Sequence, residues 1–129
     1  MRKSFKNRNF FSSLYYALSG LYYAFVRERN FRVHLIIAIL VIIAGLFFKI
    51  SRFDWILLTI AISIVVITEL TNTAIEFTVD LFTKKEHIRA KLAKDVAAGA
   101  VLVASVFAVV IGFLVFYNKL WSLLTNLNG

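Results

Sequence analysis

The stretch Glu69-Leu-Thr-Asn-Thr-Ala-Ile-Glu-Phe-Thr-Val-Asp80 decides the fold, because it is the polar end of a long apolar run. The preceding residues 55–68 carry no charge and are typical of a segment in lipid or in a protein core. With about 100° between successive residues, one helix face collects the polar side chains of the stretch: Glu69, Asn72, Thr73, Glu76 and Asp80. Carboxylates at membrane depth are costly and mark functional sites, so this face is interpreted as a site. The alternative interpretation is an ordinary solvated helix end.

The composition indicates a single integral-membrane domain, residues 1–129. The chain is 60% hydrophobic and has no Cys, which excludes disulfides, thiolate metal sites and a cysteine nucleophile. The net charge of +8 favours anionic membrane lipids or phosphorylated substrates as partners, rather than nucleic acid. The first long apolar run begins at Val33 and no small-residue cleavage site follows it, so we expect the first membrane helix to remain in the mature protein.

Hydrophobic periodicity predicts an all-α membrane protein with an N-terminal surface helix and three transmembrane helices. Residues 10–27 are predicted to form an amphipathic helix on the membrane, with apolar residues at three- and four-residue spacing and tyrosines at headgroup level. Three apolar runs are long enough to span the bilayer once their flanks are included: residues 31–50, 55–82 and 95–117. In the third run small residues recur every fourth position, which favours close helix packing: Ala100, Ala104, Ala108 and Gly112.

Basic residues predict the orientation in the membrane. Seven Lys and Arg precede Val33, and five more lie in the charged connector that begins at Thr83, counted through Lys94. The turn of residues 49–54 has two and the C-terminal tail has one. The positive-inside rule therefore predicts that the N-terminus, the connector and the acidic end of the second span face the cytoplasm.

Carboxylates without a His or Cys cluster favour a hard cation such as Mg²⁺, which combines one or two carboxylates with waters and substrate phosphates. Neighbouring Lys and Arg neutralise phosphate oxygens, and a further carboxylate can accept the proton of an attacking hydroxyl. This set predicts phosphoryl transfer from ATP to a lipid alcohol. The chain has no Walker loop, so the nucleotide site must be of unrelated design.

Two non-enzymatic interpretations remain open from composition alone. A proton or cation conduit could use the acidic stripe, although conduits need polar residues along the whole span and residues 55–67 offer only Thr59 and Ser63. A small accessory subunit would show no ATP turnover.

The motif from Glu69 to Asp80, followed by Ala93-Lys-Asp-Val-Ala-Ala-Gly-Ala-Val101, resembles the signature of the small bacterial integral-membrane diacylglycerol kinases. Glu28-Arg-Asn-Phe-Arg32 ahead of the first span also matches that family. The resemblance covers the chain from about residue 15 to about residue 115, with order and spacing intact. It implies a multi-pass protein of the bacterial plasma membrane that forms a homotrimer, with composite active sites built between neighbouring protomers on the cytoplasmic side.

The resemblance also implies roles for single residues. Glu69 corresponds to the general base at the lipid substrate, with Asp95 as the alternative base. Glu28 and Glu76 correspond to the metal ligands, and Arg32 is expected at the substrate. The nucleotide and its phosphates are expected to contact further polar residues: Asn72, Asp80, His87, Lys94 and Asp95. His34 is interpreted from the sequence as an interfacial packing residue rather than a ligand.

Two acceptor lipids occur in the family that this chain resembles. The Gram-negative type phosphorylates diacylglycerol, and the Gram-positive type prefers undecaprenol. The segments Glu28-Arg-Asn-Phe-Arg-Val-His34 and Ala93-Lys-Asp-Val-Ala-Ala-Gly-Ala-Val101 resemble the Gram-positive type more closely. Undecaprenol is therefore the predicted acceptor, with diacylglycerol as the alternative.

Overall fold

The computed structural model describes residues 9–83 and 87–127, which form four α-helices. Their bounds are α1 Phe10–Arg27, α2 Arg29–Phe47, α3 Arg52–Phe82 and α4 Ile88–Leu127. Three of them, α2, α3 and α4, are long and apolar enough to cross a membrane. The predicted all-α class and the three helices of membrane-spanning length are therefore confirmed.

Side-chain caps determine where α1 and α3 begin. Asn9 Oδ1 accepts a hydrogen bond from the Ser12 N–H at 3.0 Å. At the start of α3, Ser51 Oγ accepts from the Asp54 N–H at 3.2 Å, and Asp54 Oδ2 accepts from the Ser51 N–H at 3.1 Å. This reciprocal pair is a capping box, which satisfies two backbone donors that the helix itself cannot pair. It fixes a short turn between α2 and α3, in which Lys49 has a φ of 48°.

Antiparallel packing of α3 on α4 forms the most extensive helix contact. Near the turn after α2, Leu58 of α3 and Val115 of α4 share a buried cluster with Ile50. At the opposite end, Asp80 of α3 pairs with Lys94 of α4. These two contacts fix the register of the pair. Large apolar side chains elsewhere on α2 and α4 remain exposed, as expected where lipid or another protein surface replaces water.

The single non-helical residue Glu28 forms an elbow between α1 and α2, and α1 rests against α3. The Tyr23 ring meets the Phe77 ring edge-on, with centroids 5.3 Å apart, and Ala24 is buried. The Arg27 guanidinium lies over the same Tyr23 ring at 5.9 Å. These contacts lie at the end of α3 that carries the polar stretch.

The last helix, α4, extends beyond its predicted span at both ends. α4 begins at Ile88, about two turns before the predicted start at residue 95, and continues to Leu127 rather than ending at residue 117. The charges of residues 88–91 indicated a connector, but Arg, Ala, Lys and Leu are also strong helix formers and here they extend the helix. The rest of the predicted connector includes residues 84–86, which lie outside the described residues, as does the basic tail of residues 1–8.

The predicted stripe of small residues on α4 packs only in part within this chain. Ala104 is buried, and Ala108 and Gly112 are half-buried. Ala100 is exposed. Within the stripe, Ala104 therefore packs inside the protomer, whereas Ala100 faces its exterior.

Candidate active site

Three polar side chains of α3 are buried within a single protomer. Glu69 is only 2% exposed, Thr73 6% and Asn72 8%. They continue the face that α3 buries nearer its start through Leu58 and Val65. Because side chains three and four residues apart share a helix face, burial of the apolar residues draws Glu69 and Asn72 into the interior as well. Polar groups are seldom buried without a functional or hydrogen-bonding reason, so this is the centre of the candidate site.

Asn72 orients one of the predicted metal ligands. Its Nδ2 donates a hydrogen bond to Glu76 Oε1 at 2.9 Å, one turn further along α3. Its Oδ1 is buried and has no hydrogen-bond partner among the described residues. A buried carbonyl oxygen without a donor carries a desolvation cost of about 1–3 kcal/mol. Asn72 can therefore accept a donor or a cation that is supplied from outside the chain.

Glu28 reaches this site from another part of the sequence. It is the single residue between α1 and α2, and its N–H donates to the Ala24 carbonyl at 2.8 Å. Its carboxylate caps neither helix through its side chain. Glu28, His34 and Glu76 all lie within electrostatic range of Glu69. Glu28 and Glu76, two further carboxylates that the sequence singled out, therefore each contribute to the electrostatic surroundings of Glu69.

Asp80, the last residue of the polar stretch, forms an ion pair with Lys94 of α4. Lys94 Nζ lies 2.6 Å from Asp80 Oδ1, and both side chains are accessible to solvent. Such an exposed pair contributes about 0–1 kcal/mol, so stability does not explain it. Asp95 is exposed beside it on α4. The Lys94 ammonium, at the end of the site opposite the turn after α2, is a positive charge that a bound phosphate can recruit.

His87 and Arg32 make contacts within the chain. The His87 Nδ1 accepts a hydrogen bond from the Arg89 N–H at 3.2 Å, at the start of α4, and the ring is exposed. Arg32 Nη1 donates to the Phe25 carbonyl at 3.0 Å and to the Val26 carbonyl at 2.8 Å. These carbonyls are at the end of α1, where unpaired acceptors attract a cation. Arg32 therefore holds the elbow that carries Glu28, and its predicted place at the substrate stays a prediction.

The donor set suits a magnesium ion that is completed by a nucleotide. Among the described residues, no group of three or more His, Cys, Asp or Glu side chains is arranged to hold a metal alone. Magnesium commonly uses one or two carboxylates, with waters and substrate phosphates in its other positions. Glu28 and Glu76 lie near a common centre at Glu69, and the free Asn72 Oδ1 is a further oxygen donor beside Glu76. These residues fit a cation that arrives together with phosphate groups.

Two polar residues near Glu69 were given no part in the site by the sequence. His34 was interpreted as a packing residue, and the structure places it on α2 within electrostatic range of Glu69. Ser105 was not singled out because one serine in an apolar helix has no motif around it. Both positions depend on the helix register, which the sequence alone does not determine.

Comparison with known proteins adds independent observations. Residues 15–116 match the model of a family described as prokaryotic diacylglycerol kinase. The chain is 44% identical over 111 residues to the undecaprenol kinase of Bacillus subtilis strain 168, covering 86% of this chain and 90% of that protein. It is 40% identical over 117 residues to a diacylglycerol kinase of Synechocystis, covering 90% and 67% of the two chains. It is 30% identical over 95 residues to the diacylglycerol kinase of Escherichia coli K12, covering 74% and 78%.

Proposed function

The chain belongs to the prokaryotic diacylglycerol kinase family and is a lipid kinase of the membrane, and we propose that it phosphorylates undecaprenol at a site centred on Glu69. ATP is the co-substrate that the kinase family implies. The observation that carries the proposal is the burial of Glu69 amid further carboxylates, on the helix that also bears Asn72 and Asp80.

Glu69 acts as the general base in this proposal. Its carboxylate takes the proton from the lipid hydroxyl, and the hydroxyl oxygen attacks the γ-phosphorus of ATP. The bond between that phosphorus and the β,γ-bridging oxygen breaks, and ADP leaves with the bond's electron pair. Glu69 is suited to this role because it is the deepest carboxylate of the stretch, where a lipid hydroxyl can approach from the bilayer.

Glu28 and Glu76 are the proposed ligands of Mg²⁺, which would offset the negative charge of the nucleotide phosphates. Asn72 supports this assignment, since its amide holds the Glu76 carboxylate in place. Arg32 also supports the assignment of Glu28 as a ligand, since its two hydrogen bonds to α1 carbonyls restrict the positions that Glu28 can occupy. Both contacts orient ligands before any nucleotide binds.

Lys94, Asp80 and Asp95 are the proposed phosphate end of the site. The Lys94 ammonium is held by Asp80 in this protomer, and it can turn toward a phosphate because both side chains are solvent-accessible. His87 is a further proposed nucleotide contact. It immediately precedes α4, on the side of Lys94 and Asp95, and its ring is exposed.

Undecaprenol is preferred as the acceptor because the undecaprenol kinase relative shares 44% identity, against 30% for the Escherichia coli diacylglycerol kinase. The alternative acceptor is diacylglycerol, because the Synechocystis relative, which shares 40% identity, is a diacylglycerol kinase.

We further propose a homotrimer with composite active sites, an N-terminus in the cytoplasm and α1 lying on the membrane surface. The exposed Ala100 in the stripe of small residues on α4 supports assembly, because small residues let helices of neighbouring protomers approach closely. The excess of Lys and Arg before α2 and after α3 supports the orientation. Exposed tyrosines along α1 support its place at the headgroups.

Replacing Glu69 with Gln tests the base. The amide keeps the shape of the side chain and removes its capacity to take a proton, so we expect kcat to fall by about 10²–10⁴-fold. The affinity of an ATP analogue should change little, since Glu69 lies away from the phosphate end. Turnover and analogue affinity are measured on the same purified protein. A variant that binds the analogue poorly and keeps its kcat would make Glu69 a binding residue and Asp95 the next candidate base.

A further inference from the structure

An apolar cavity lies between α2, α3 and α4, next to Glu69 in the direction of the turn after α2. Its volume is about 340 Å³, which is within the range of small-molecule sites. Side chains of all three helices line it, among them Ala38, Val41, Leu58, Val65, Gly112 and Phe116. The cavity begins one turn from Glu69, because Val65 and Val66 are both in its wall.

Two of the described residues that line the cavity are polar, and both lie at the end near Glu69. His34 is within electrostatic range of Glu69. Ser105 is level with Glu69, because the pairing of Asp80 with Lys94 and the packing of Leu58 near Val115 set the register of α3 on α4. The cavity therefore has a polar end beside the proposed base and an apolar remainder.

The hydroxyl of Ser105 is buried and has no hydrogen-bond partner among the described residues. Several other hydroxyls donate to the carbonyl four residues earlier: Ser19, Thr59, Thr68, Thr71 and Thr78. A buried hydroxyl that is not used in this way is costly unless something else binds it.

We propose that this cavity holds the first part of a single hydrocarbon chain of the acceptor lipid, with the chain's hydroxyl between Ser105 and Glu69. The inference rests on the proposed function and deepens it by placing the chain of the acceptor lipid within the fold. Ser105 donates to the lipid oxygen, and the lipid hydroxyl in turn donates to Glu69. The remainder of the chain runs past Gly112 toward Phe116 and into the bilayer.

The shape and polarity of the cavity favour a polyprenol over a diacylglycerol. In a polyprenol, the hydroxyl is attached directly to a single apolar chain. The cavity is a single apolar space whose polar lining residues, His34 and Ser105, lie only at the end near Glu69. A diacylglycerol would bring two ester groups to the same depth. The described lining offers only His34 and Ser105 as partners there, so ester oxygens would be buried without hydrogen bonds.

Gly112 allows the cavity to be filled without disturbing the protomer. It lines the cavity, and a Cβ added there would meet no atom within 4 Å. Gly112 lies about 10 Å from Ser105 along α4, in the direction away from Glu69. A short prenol such as geraniol would end near Gly112, whereas undecaprenol must extend past that residue. We expect Gly112→Leu to raise the KM for undecaprenol about tenfold or more, and to leave the KM for geraniol and for ATP close to the parent values.

Gly99→Leu is the matched control. Gly99 lies on the same helix and its added Cβ also meets nothing within 4 Å, but it lines a different groove between α3 and α4. Any effect of this substitution should be equal for the two prenols. The proposal is overturned if Gly112→Leu affects both prenols equally, or if it abolishes assembly, which would assign the cavity to a neighbouring protomer. Failure of the parent to phosphorylate any prenol or diacylglycerol would instead overturn the proposed function, and this inference with it.

Photolabelling supplies a readout that does not depend on turnover. A prenol that carries a diazirine on its third isoprene unit should label Phe113 or Phe116 in the parent protein in vesicles, and peptide mass spectrometry would locate the label. Gly112→Leu should lose this labelling. Label on α1, or label that is unchanged in the variant, would overturn the placement of the chain.

Discussion

At the scale of single residues, Asn72 lies between the buried Glu69 and the more exposed Glu76 on one face of α3. Its amide nitrogen is committed to Glu76, and its carbonyl oxygen is buried without a partner. The side chain thereby holds a carboxylate in one position and presents an oxygen in another. A hydrogen bond to a charged group contributes about 1.5–3 kcal/mol, which is enough to fix the rotamer of a metal ligand.

Replacing Asn72 with Ala should raise the magnesium concentration needed for half-maximal turnover by about 10–100-fold, because the partners that orient metal ligands typically contribute that much to metal affinity. The measurement is a magnesium titration of initial rate at saturating lipid. Thr71→Ala is the control, since Thr71 is exposed on the same turn and bonds only to the Ile67 carbonyl of its own helix. An unchanged magnesium curve for the Asn72 variant would remove Asn72 from the metal site.

At the scale of the helices, Gly45 determines how closely α2 approaches the start of α3. A Cβ at this position would lie 2.9 Å from the Trp55 ring and 3.1 Å from Ile50 Cδ1. The ring belongs to the packed cluster around Ile50, Leu58 and Val115, so it has little room to move. The short turn capped by Ser51 and Asp54 therefore depends on a glycine one helix earlier.

Gly45→Ala should lower the thermal midpoint of the detergent-solubilised protein relative to Gly20→Ala. Both changes gain about 1 kcal/mol of helix propensity, but at Gly45 overpacking costs typically 1–3 kcal/mol and only that variant must displace the Trp55 ring. An added Cβ at Gly20 meets nothing within 4 Å. Circular dichroism melts of the two variants compare them directly. Equal midpoints would show that the contact with Trp55 is not tight in the membrane protein.

Helix periodicity was sufficient to predict the face of α3 that carries Glu69, Asn72 and Glu76, because a face is a property of one helix. The distribution of basic residues placed Glu28 on the same side of the membrane as the acidic end of α3. Its role as a metal ligand was implied only by resemblance, since its exact position depends on the elbow that Arg32 holds. Ser105 could not be predicted, because its level beside Glu69 depends on how α3 and α4 are aligned. The start of α4 was placed too late, because charged residues suit both a loop and an exposed helical turn.

At the scale of the whole molecule, the buried polar side chains lie toward one end of the bundle and the buried apolar cluster lies toward the other. Glu28, Glu76, Asp80 and Lys94 lie at the end where α1 rests on α3, and the cluster of Ile50, Leu58 and Val115 closes the other end. A reaction between a soluble nucleotide and a membrane alcohol needs this separation. The nucleotide can enter at the polar end, while the hydroxyl of the lipid approaches Glu69 from among the spanning helices.

The central claim is that this chain transfers phosphate from ATP to a lipid alcohol, and preferably to undecaprenol. The direct measurement uses the purified protein in vesicles with γ-labelled ATP and Mg²⁺, and offers undecaprenol and diacylglycerol at equal mole fractions in parallel reactions. We predict that label enters undecaprenol faster than diacylglycerol, and that Glu69→Gln loses transfer to both. Preferential labelling of diacylglycerol would reverse the assignment of the acceptor. The absence of label in both lipids, in vesicles where the protein is folded, would contradict the claim itself.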